Sequence, residues 1–368
     1  MKKWLSLLLV LVLVLSLAAC SSGGNNAGNQ GNSQENTGNQ GNTQEEEVYK
    51  LVLSYYASDV IPPGQAVKEA IKYAEEKSNG RLQFDAYFSG TYVNKTDTMA
   101  ALATGLIDIS PCDAAQIASV SILNQVFNAL IQADLPERRA VQDVYVRMIK
   151  EIPELNEEML KNSNCFWLYP FVMGGHNLHG NVRIETVSDF KGNKVEAKGT
   201  AGQYVNLMGG TAVELDSGDY YNGMKLGTVD AQFMHWAAIN NYQVNEVVKY
   251  HTIFGASEIG SGIMMPAMGY FMNQDSWNKL PPDLQQILYD AFVVGANYCL
   301  KADEESFQQG VDYAHENGHE FIFITGEARK EWAGYMSTIL EEWFANCTAA
   351  GYDGKRVYDK MCEWFEAN

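Results

Sequence analysis

The sequence has few cysteines and no cysteine framework. One of its six cysteines, Cys20, directly follows the apolar amino-terminal segment, and the other five are odd in number and lack the spacing of metal ligands. We expect most of these five to be small buried hydrophobic residues. A disulfide between Cys347 and Cys362, in the last two predicted helices, is an alternative for an exported chain.

Positive charge is also scarce. The chain has 26 Lys and Arg against 45 Asp and Glu, for a formal net charge of −19. Such a chain does not bind nucleic acid or an anionic surface through its net charge. The Gly-x-Ser-x-Gly elbow of serine hydrolases and a phosphate-binding glycine loop are absent as well. We therefore expect neither an enzyme nor a bound cofactor.

The histidines do not indicate a metal site. His176 and His179 lack a third ligand at a fixed distance, so we expect no metal there. His315 and His319 stand near a predicted helix end, where surface histidines compensate the helix dipole.

The first 20 residues are typical of an export signal. Lys2 and Lys3 form a basic start, residues 7–17 are a short apolar core, and Leu17-Ala18-Ala19-Cys20 resembles a bacterial lipobox. An apolar core this short does not span a membrane. We expect residues 1–19 to be removed and Cys20 to be lipidated, which anchors the chain at the extracytoplasmic face of the cell membrane. The alternative is an ordinary signal peptide in which Cys20 is incidental.

Residues 20–47 form a predicted linker. After Cys20 it contains only Ser, Gly, Asn, Gln, Thr, Glu and one Ala. A segment without large apolar residues cannot offset the entropy cost of ordering, so it should stay disordered. As a flexible coil of about 27 residues it spans about 30 Å.

The rest of the chain, 48–368, exceeds the usual size of one domain, so we expect two lobes. In its amino half, the patterns predict alternating strands and helices. The strands are at 49–56, 82–88 and 107–110, and the helices are at 65–78 and 96–104. This order predicts a lobe built on a parallel sheet.

The stretch 190–236 contains two further strand–helix units and a last strand at 229–233. Ligands of open α/β sheets bind beyond the carboxyl ends of strands, so the end of this strand is a predicted pocket wall. The residues placed there are Gln232, Phe233, Met234, His235 and Trp236.

A short pattern occurs twice. Residues 101–108 and 223–230 each combine a helix end, a glycine after it, an apolar pair and an aspartate that opens a strand. Chance is one explanation, because this join is common. The other is a pair of similar lobes that face each other across a cleft.

Two long apolar segments contain proline: residues 164–175 carry Pro170, and residues 263–272 carry Pro266. We interpret them as strands that cross from one lobe to the other, since hinges use such positions. Two edge strands are the alternative. The helix predicted at 282–317 would span about 50 Å and lie across both lobes.

Residues 49–343 resemble the DctP-type solute-binding proteins of tripartite (TRAP) transporters. The resemblance rests on the order and spacing of several segments: 75–82, 188–195, 208–213, 221–230, 246–250 and 273–284. It implies an α/β, two-lobed periplasmic-binding-protein-like fold with crossing strands and a long helix spanning both lobes. It also implies a monomer whose cleft closes on a small organic solute. The small and large membrane subunits of a TRAP permease then receive that solute.

The implied boundaries follow from this fold. Lobe I is expected at 48–168 with 259–275, and lobe II at 169–258. The spanning helix and the carboxyl-terminal helices, 276–368, are expected to pack on both lobes.

One departure from the family pattern concerns the ligand. The family typically has an arginine two residues after the lysine of a strand, where it grips a carboxylate, but here the strand reads Lys194-Val195-Glu196. A glutamate would repel a carboxylate ligand. A neutral or amine-bearing ligand with an apolar or aromatic body is therefore slightly favoured over a simple carboxylate.

Three alternatives stay open. Glu196 is expected to pair with Lys198 on the same strand face, or an organic acid is held by His176, Arg183 or Lys198. The third alternative is that the chain is the ligand-binding subunit of an ATP-driven importer or of a sensor.

The remaining candidate ligand residues end strands or flank the cleft. Asp113 is also a candidate helix cap. The set beyond the 232–236 segment is Tyr55, Tyr56, Asp59, Ser89, Thr91, Tyr92, Asp113, His176, Glu196, Lys198, Tyr204 and Tyr221.

Overall fold

The strands form two separate sheets in the computed structural model, which describes residues 47–128, 137–260 and 262–367. The leader, Cys20 and nearly all of the predicted linker lie outside these residues. Within the described part of the chain, no helix is both long and apolar enough to cross a membrane.

The elements of the amino half alternate as the sequence predicts. In chain order they are β1 (Tyr49–Ser54), α1 (Pro62–Lys77), β2 (Leu82–Tyr87), α2 (Thr98–Thr104), β3 (Ile109–Asp113), α3 (Arg138–Glu151), α4 (Glu154–Ser163), β4 (Cys165–Val172), β5 (Asn177–Gly180) and α5 (Val187–Phe190). The next elements are β6 (Lys194–Glu196), α6 (Gly199–Leu207), β7 (Thr211–Val213), α7 (Tyr220–Lys225), β8 (Ala231–Met234), α8 (Trp236–Asn241) and β9 (Tyr250–Phe254).

The last elements are β10 (Ala267–Asn273), α9 (Gln274–Lys279), α10 (Pro282–Glu316), β11 (Glu320–Ile324), α11 (Gly326–Gly334), α12 (Met336–Ala349) and α13 (Gly354–Glu366). Sequence reasoning missed β11, because it grouped the whole region after residue 276 with the helices. In the structure β11 adds a parallel edge to β9.

Sheet I has the strand order β2-β1-β3-β10-β4. The three amino-terminal strands are parallel, as predicted, and β10 lies between β3 and β4 and is antiparallel to both. Pro170 is in β4, an edge strand, where proline removes no ladder hydrogen bond from a central position. Opposite it stands Gly269, where an added Cβ would lie 2.3 Å from Trp167. Glycine is therefore required for the two strands to pair here.

Sheet II has the order β11-β9-β5-β8-β6-β7. Residues 173–176 lead from β4 of sheet I to β5 of sheet II, and residues 255–266 lead back from β9 to β10. The amino-terminal part of α10 packs on sheet I through Leu284 and Phe292. Its carboxyl-terminal part packs near sheet II through Phe307 and Val311. This 35-residue helix therefore contacts the cores of both sheets.

The short repeat is structural. Gly105 and Gly227 both have φ 71° and end their helices in the left-handed conformation that favours glycine. Asp108 exchanges two hydrogen bonds with Val52, through its carboxylate (2.6 Å) and its backbone N–H (2.8 Å). Asp230 makes the same two with Lys194, at 2.8 and 2.7 Å. Each aspartate thus fixes its strand to a neighbouring parallel strand.

The alternative of a Cys347–Cys362 disulfide is wrong, because both thiols are free. Cys347 packs against Gly354 at the start of α13. Cys362 lies eight residues further along that helix, about 12 Å away, which no disulfide can bridge. Cys112, Cys165, Cys299 and Cys347 are buried, as expected for small hydrophobic residues.

Candidate ligand-binding site

A cavity of about 500 Å³ lies between the two sheets. That volume is within the usual range for small-molecule sites. One wall comes from the loops after β1, β2 and β3, and the other from β6, α6, β8 and α8. The cavity therefore lies beyond the carboxyl ends of strands from both sheets, where α/β folds bind ligands.

The structure brings ten of the predicted site residues together in the lining. They are Tyr55, Tyr56, Ser89, Asp113, His176, Glu196, Lys198, Phe233, Met234 and His235. The other seven do not line the cavity: three lie on loops, three lie in the core, and one lies on the exposed side of a helix.

Three of the seven lie on the outer side of the loops. Asp59 pairs with Lys68 at 3.0 Å on the surface. Thr91 donates its hydroxyl to the Phe88 carbonyl, and Tyr92 stacks on Tyr87 with ring centroids 4.6 Å apart.

Three more are turned into the protein core. Tyr204 donates its hydroxyl to the Trp332 carbonyl at 2.6 Å, and Gln232 donates its amide to the Tyr220 carbonyl at 3.1 Å. Trp236 is fully buried, because it is the first residue of α8 and faces α10.

The last, Tyr221, lies next to Lys225 on the exposed side of α7. Its neighbour Tyr220 faces the cavity instead. Adjacent residues of a helix point about 100° apart, so an error of one residue in the predicted facing of α7 exchanged Tyr221 for Tyr220.

Glu196 ends β6 and is 2% exposed. Burial raises the pKa of its carboxyl to about 7, while Lys198, Lys95 and hydrogen bonding by Tyr220 oppose the shift. Among the described residues, Glu196 has no ion-pair partner within 4 Å, so the expected Glu196–Lys198 pair does not form at that distance. A buried carboxylate without a counter-ion favours a ligand that donates hydrogen bonds.

Lys95 faces Glu196 from the sheet I wall, and sequence reasoning missed it. It lies in the loop between β2 and α2, which also contributes Ser89 to the lining, and membership of that loop was the signal that would have included it. Its ammonium is 2.7 Å from Asp113 and 4.7 Å from the centre of the Tyr56 ring. Burial lowers the pKa of Lys95, but the neighbouring Asp113 carboxylate raises it by more, so the pKa lies above its usual value.

Asp113 also acts as a cap. Its second carboxylate oxygen accepts a hydrogen bond from the Gln116 N–H at 2.9 Å, and the Gln116 side chain accepts one from the Asp113 N–H at 3.1 Å. The alternative expectation of a helix cap therefore holds, and Asp113 contributes to the cavity mainly as the partner of Lys95.

His176 and His235 are neutral members of the lining. Burial lowers the pKa of each to about 3, and the two rings stack 5.7 Å apart. His235 caps α8 by accepting from the Ala238 N–H. Nδ1 of His176 is buried and has no partner among the described residues, so it is free to hydrogen-bond to a ligand.

His179 belongs to a buried chain of histidines behind the cavity wall. Its Nε2 donates to the Met234 carbonyl (3.2 Å), which leaves its Nδ1 as an acceptor from His251 Nδ1 (2.8 Å). His251 Nε2 in turn accepts from His319 Nδ1 (3.0 Å). Burial lowers the pKa of all three rings, so one carbonyl sets the tautomer of three neutral imidazoles.

His315-Glu316-Asn317-Gly318-His319 has the letters of a zinc-protease motif, His-Glu-x-x-His, which sequence reasoning overlooked when it excluded an enzyme. In such a motif, the two histidines bind zinc from the same face of one helix, so His315 and His319 would both have to lie on α10. Here α10 ends at Glu316, and Gly318 has φ 69°. His319 turns toward His251, while His315 pairs with Glu258 on the surface. Among the residues that the structure describes, no group of three or more His, Cys, Asp or Glu side chains is placed to hold a metal ion.

Comparison with known proteins shows a family match over most of the chain. The family model DctP, described as bacterial extracellular solute-binding protein, family 7, matches residues 53–346. A solute-binding protein of Chromohalobacter salexigens is 22% identical over 253 residues, which are 68% of this chain and 70% of the relative.

Solved structures of similar fold cover nearly the same region. A TRAP solute-binding protein from Rhodoferax ferrireducens, in complex with copurified benzoate, has a TM-score of 0.75 and 17% identity over 87% of this chain and 98% of its own. A TRAP periplasmic solute-binding protein from Desulfovibrio salexigens, with bound orotic acid, has a TM-score of 0.73 and 18% identity over 87% and 99%. At these identities the likeness shows the two-lobed fold.

Proposed function

Because the chain belongs to the DctP family of bacterial extracellular solute-binding proteins, we propose that it is the receptor of a TRAP-type importer. It captures a small organic solute outside the cytoplasm and delivers it to the small and large membrane subunits of a permease. The observation that carries this proposal is the cavity of about 500 Å³ with walls from both sheets. A receptor that releases its cargo to a partner needs a site that opens when its walls separate.

The ligand is proposed to carry a hydrogen-bond donor and an apolar or aromatic body. Glu196 stands where family members typically have an arginine, and its buried carboxylate accepts a neutral or cationic donor. Phe233, Met234 and Met264 give the cavity an apolar surface for the body of the ligand. This favours a neutral or amine-bearing solute over a simple carboxylate.

An organic acid is the second candidate, and Lys198 supports it. This ammonium lines the cavity and has no ion-pair partner within 4 Å among the described residues. The solved relatives named above carry benzoate and orotic acid. A carboxylate next to Lys198 and the Nδ1 of His176 would gain charged hydrogen bonds.

A ligand screen with a scattering readout tests the receptor function. Thermal unfolding with a library of amino acids, amines, organic acids and neutral solutes should identify a compound that stabilises the protein by about 2.7 kcal/mol at 100 times its Kd. With that compound, small-angle scattering should give a smaller radius of gyration, because the lobe built on sheet I and the lobe built on sheet II close about the connections between β4 and β5 and between β9 and β10. All of β4 belongs to sheet I, so the boundary expected after residue 168 falls instead in the β4–β5 connection. Stabilisation with an unchanged radius would contradict closure, and no stabilising compound would contradict the receptor function.

The membrane anchor is a separate proposal that rests on the leader sequence. Replacing Cys20 with serine in the native host should move the protein from the membrane fraction to the soluble extracytoplasmic fraction, because the lipidated residue is lost. A Ser21→Ala variant serves as the matched control and should stay with the membrane. Equal membrane retention of the Cys20→Ser variant would show that the chain is held by something else.

A further inference from the structure

Two of the charged side chains that line the inner cavity form an ion pair, and two others have no ion-pair partner in the described part of the chain. Lys95 and Asp113 lie 2.7 Å apart and neutralise each other on the sheet I wall. On the sheet II wall, Glu196 and Lys198 have no opposite charge within 4 Å among the described residues. Asp216, the other charged lining residue, is exposed. The inner cavity therefore presents one carboxylate and one ammonium that form no ion pair within 4 Å with any described residue, although Lys198 and Lys95 act on the Glu196 carboxylate from further away.

Building on the proposed receptor function, we infer that the ligand is a small zwitterion whose ammonium group binds Glu196 and whose carboxylate binds Lys198. A simple acid leaves the buried Glu196 without a partner and adds a like charge near it. A simple amine leaves Lys198 uncompensated. Only a ligand with both charges gives each side chain an opposite charge when the cavity excludes water.

The part of the site that binds the carboxylate of the ligand attracts negative charge in a second way besides the Lys198 ammonium. Lys198 directly precedes α6, whose first backbone N–H groups have no acceptor within the helix, and Thr200 and Ala201 of that first turn line the cavity. Helix amino termini favour negative charge. The Lys198 ammonium lies 5.6 Å from the centre of the Tyr220 ring, and this contact leaves its N–H donors available.

The part of the site that binds the ammonium group of the ligand is more deeply buried than the part around Lys198. Glu196 is 2% exposed, and Tyr220 hydrogen-bonds to it. His176, in the β4–β5 connection, and His235, which caps α8, also line the cavity, and both are neutral, so they do not compete as cations. An ammonium group of the ligand would supply the directly paired cation that Glu196 lacks among the described residues.

The spacing of the two side chains limits the ligand. Residues two apart on an extended strand are separated by about 6.6 Å, and their side chains point to the same face. The two charged groups of the ligand must then be separated by few bonds, as in an amino acid with both groups on the same or neighbouring carbons. Its side chain would lie against Phe233, Met234, Met264 and Met268.

Three matched series test this inference by calorimetry at pH 7.5. Each contains an amino acid, its decarboxylated amine and its deaminated acid: phenylalanine, phenethylamine and 3-phenylpropionate; leucine, 3-methylbutylamine and 4-methylpentanoate; methionine, 3-(methylthio)propylamine and 4-(methylthio)butanoate. In at least one series the zwitterion should bind at least about tenfold more tightly than both partners, because each lost charged hydrogen bond costs that much.

Two variants assign the charges. Glu196→Gln should remove the advantage of the zwitterion over the acid, and Lys198→Met should remove its advantage over the amine. Lys225→Met, a lysine of the same lobe outside the lining, should leave all affinities unchanged.

The outcomes separate the inference from the receptor function. If an acid or an amine binds as tightly as its amino acid, the inference is overturned while the receptor function stands. If all nine compounds fail while the wider library contains a ligand without this pair of charges, the inference is overturned as well. If the whole library fails, the receptor function itself is overturned.

Discussion

Replacing Glu196 with glutamine should raise the free energy of unfolding of the ligand-free protein by about 3 kcal/mol at pH 8 and by only about 1 kcal/mol at pH 5. The cause is the burial that raises the pKa of this carboxyl from 4.5 to about 7. Between these two values the unfolded chain releases a proton that the folded protein keeps. Stability is therefore lost as the pH rises toward 7, and a glutamine at this position removes that loss.

Urea unfolding of both proteins at pH 5, 6, 7 and 8 measures the effect. Asp216→Asn is the matched control, since this carboxylate also lines the cavity but is exposed, and its substitution should change stability by less than about 0.5 kcal/mol at every pH. A stability difference between Glu196→Gln and the parent that stays constant from pH 5 to pH 8 would mean that Glu196 does not titrate in this range.

Replacing Asp303 with asparagine should cost about 3–5 kcal/mol of stability. Asp303 is in the middle of α10 and is 0% exposed, and its carboxylate lies 2.9 Å from the guanidinium of Arg138, the first residue of α3. Arg138 also donates to the Leu300 carbonyl of α10 at 3.4 Å. Without Asp303 the guanidinium would stay buried next to α10 with no counter-ion, which is why the expected cost is large.

Two control variants separate burial from charge pairing. Arg356 and Glu154 form a shorter ion pair, 2.6 Å, but their side chains are 46% and 38% exposed, so Arg356→Met should cost less than about 1 kcal/mol. The double variant Arg138→Met/Asp303→Leu should recover most of the stability that Asp303→Asn loses, because no charge is then left buried. Equal losses for the buried and the exposed pair in urea unfolding would refute this account.

The elements that sequence reasoning placed well depend on local chemistry. The ends of α2 and α7 follow from the glycine conformation at Gly105 and Gly227. Strand β1 follows from its apolar residues, and the long helix α10 follows from apolar periodicity without an interrupting proline. Such signals lie within a few residues of the element that they define. The two-lobed fold could therefore be expected from the sequence.

The side chains of the cavity depend on longer-range geometry. Lys95 faces Glu196 only because the two sheets meet, and no local pattern relates residues about one hundred positions apart. Helix register decided that Tyr220 lines the cavity and Tyr221 does not. Trp236 looked like a ligand residue at a strand end, yet the start of α8 turns it into the core.

The position of β10 affects how the chain folds as it crosses the membrane. Among the strands that the structure describes in sheet I, β4 pairs with β10 alone, and β10 is made much later. Until residue 273 has emerged on the far side of the membrane, the apolar strand Cys165–Val172 has no partner in its own sheet. An unpaired apolar strand is prone to aggregate. The nascent protein thus has a period of vulnerability during translocation, in which a chaperone that shields this strand would raise the yield of folded receptor.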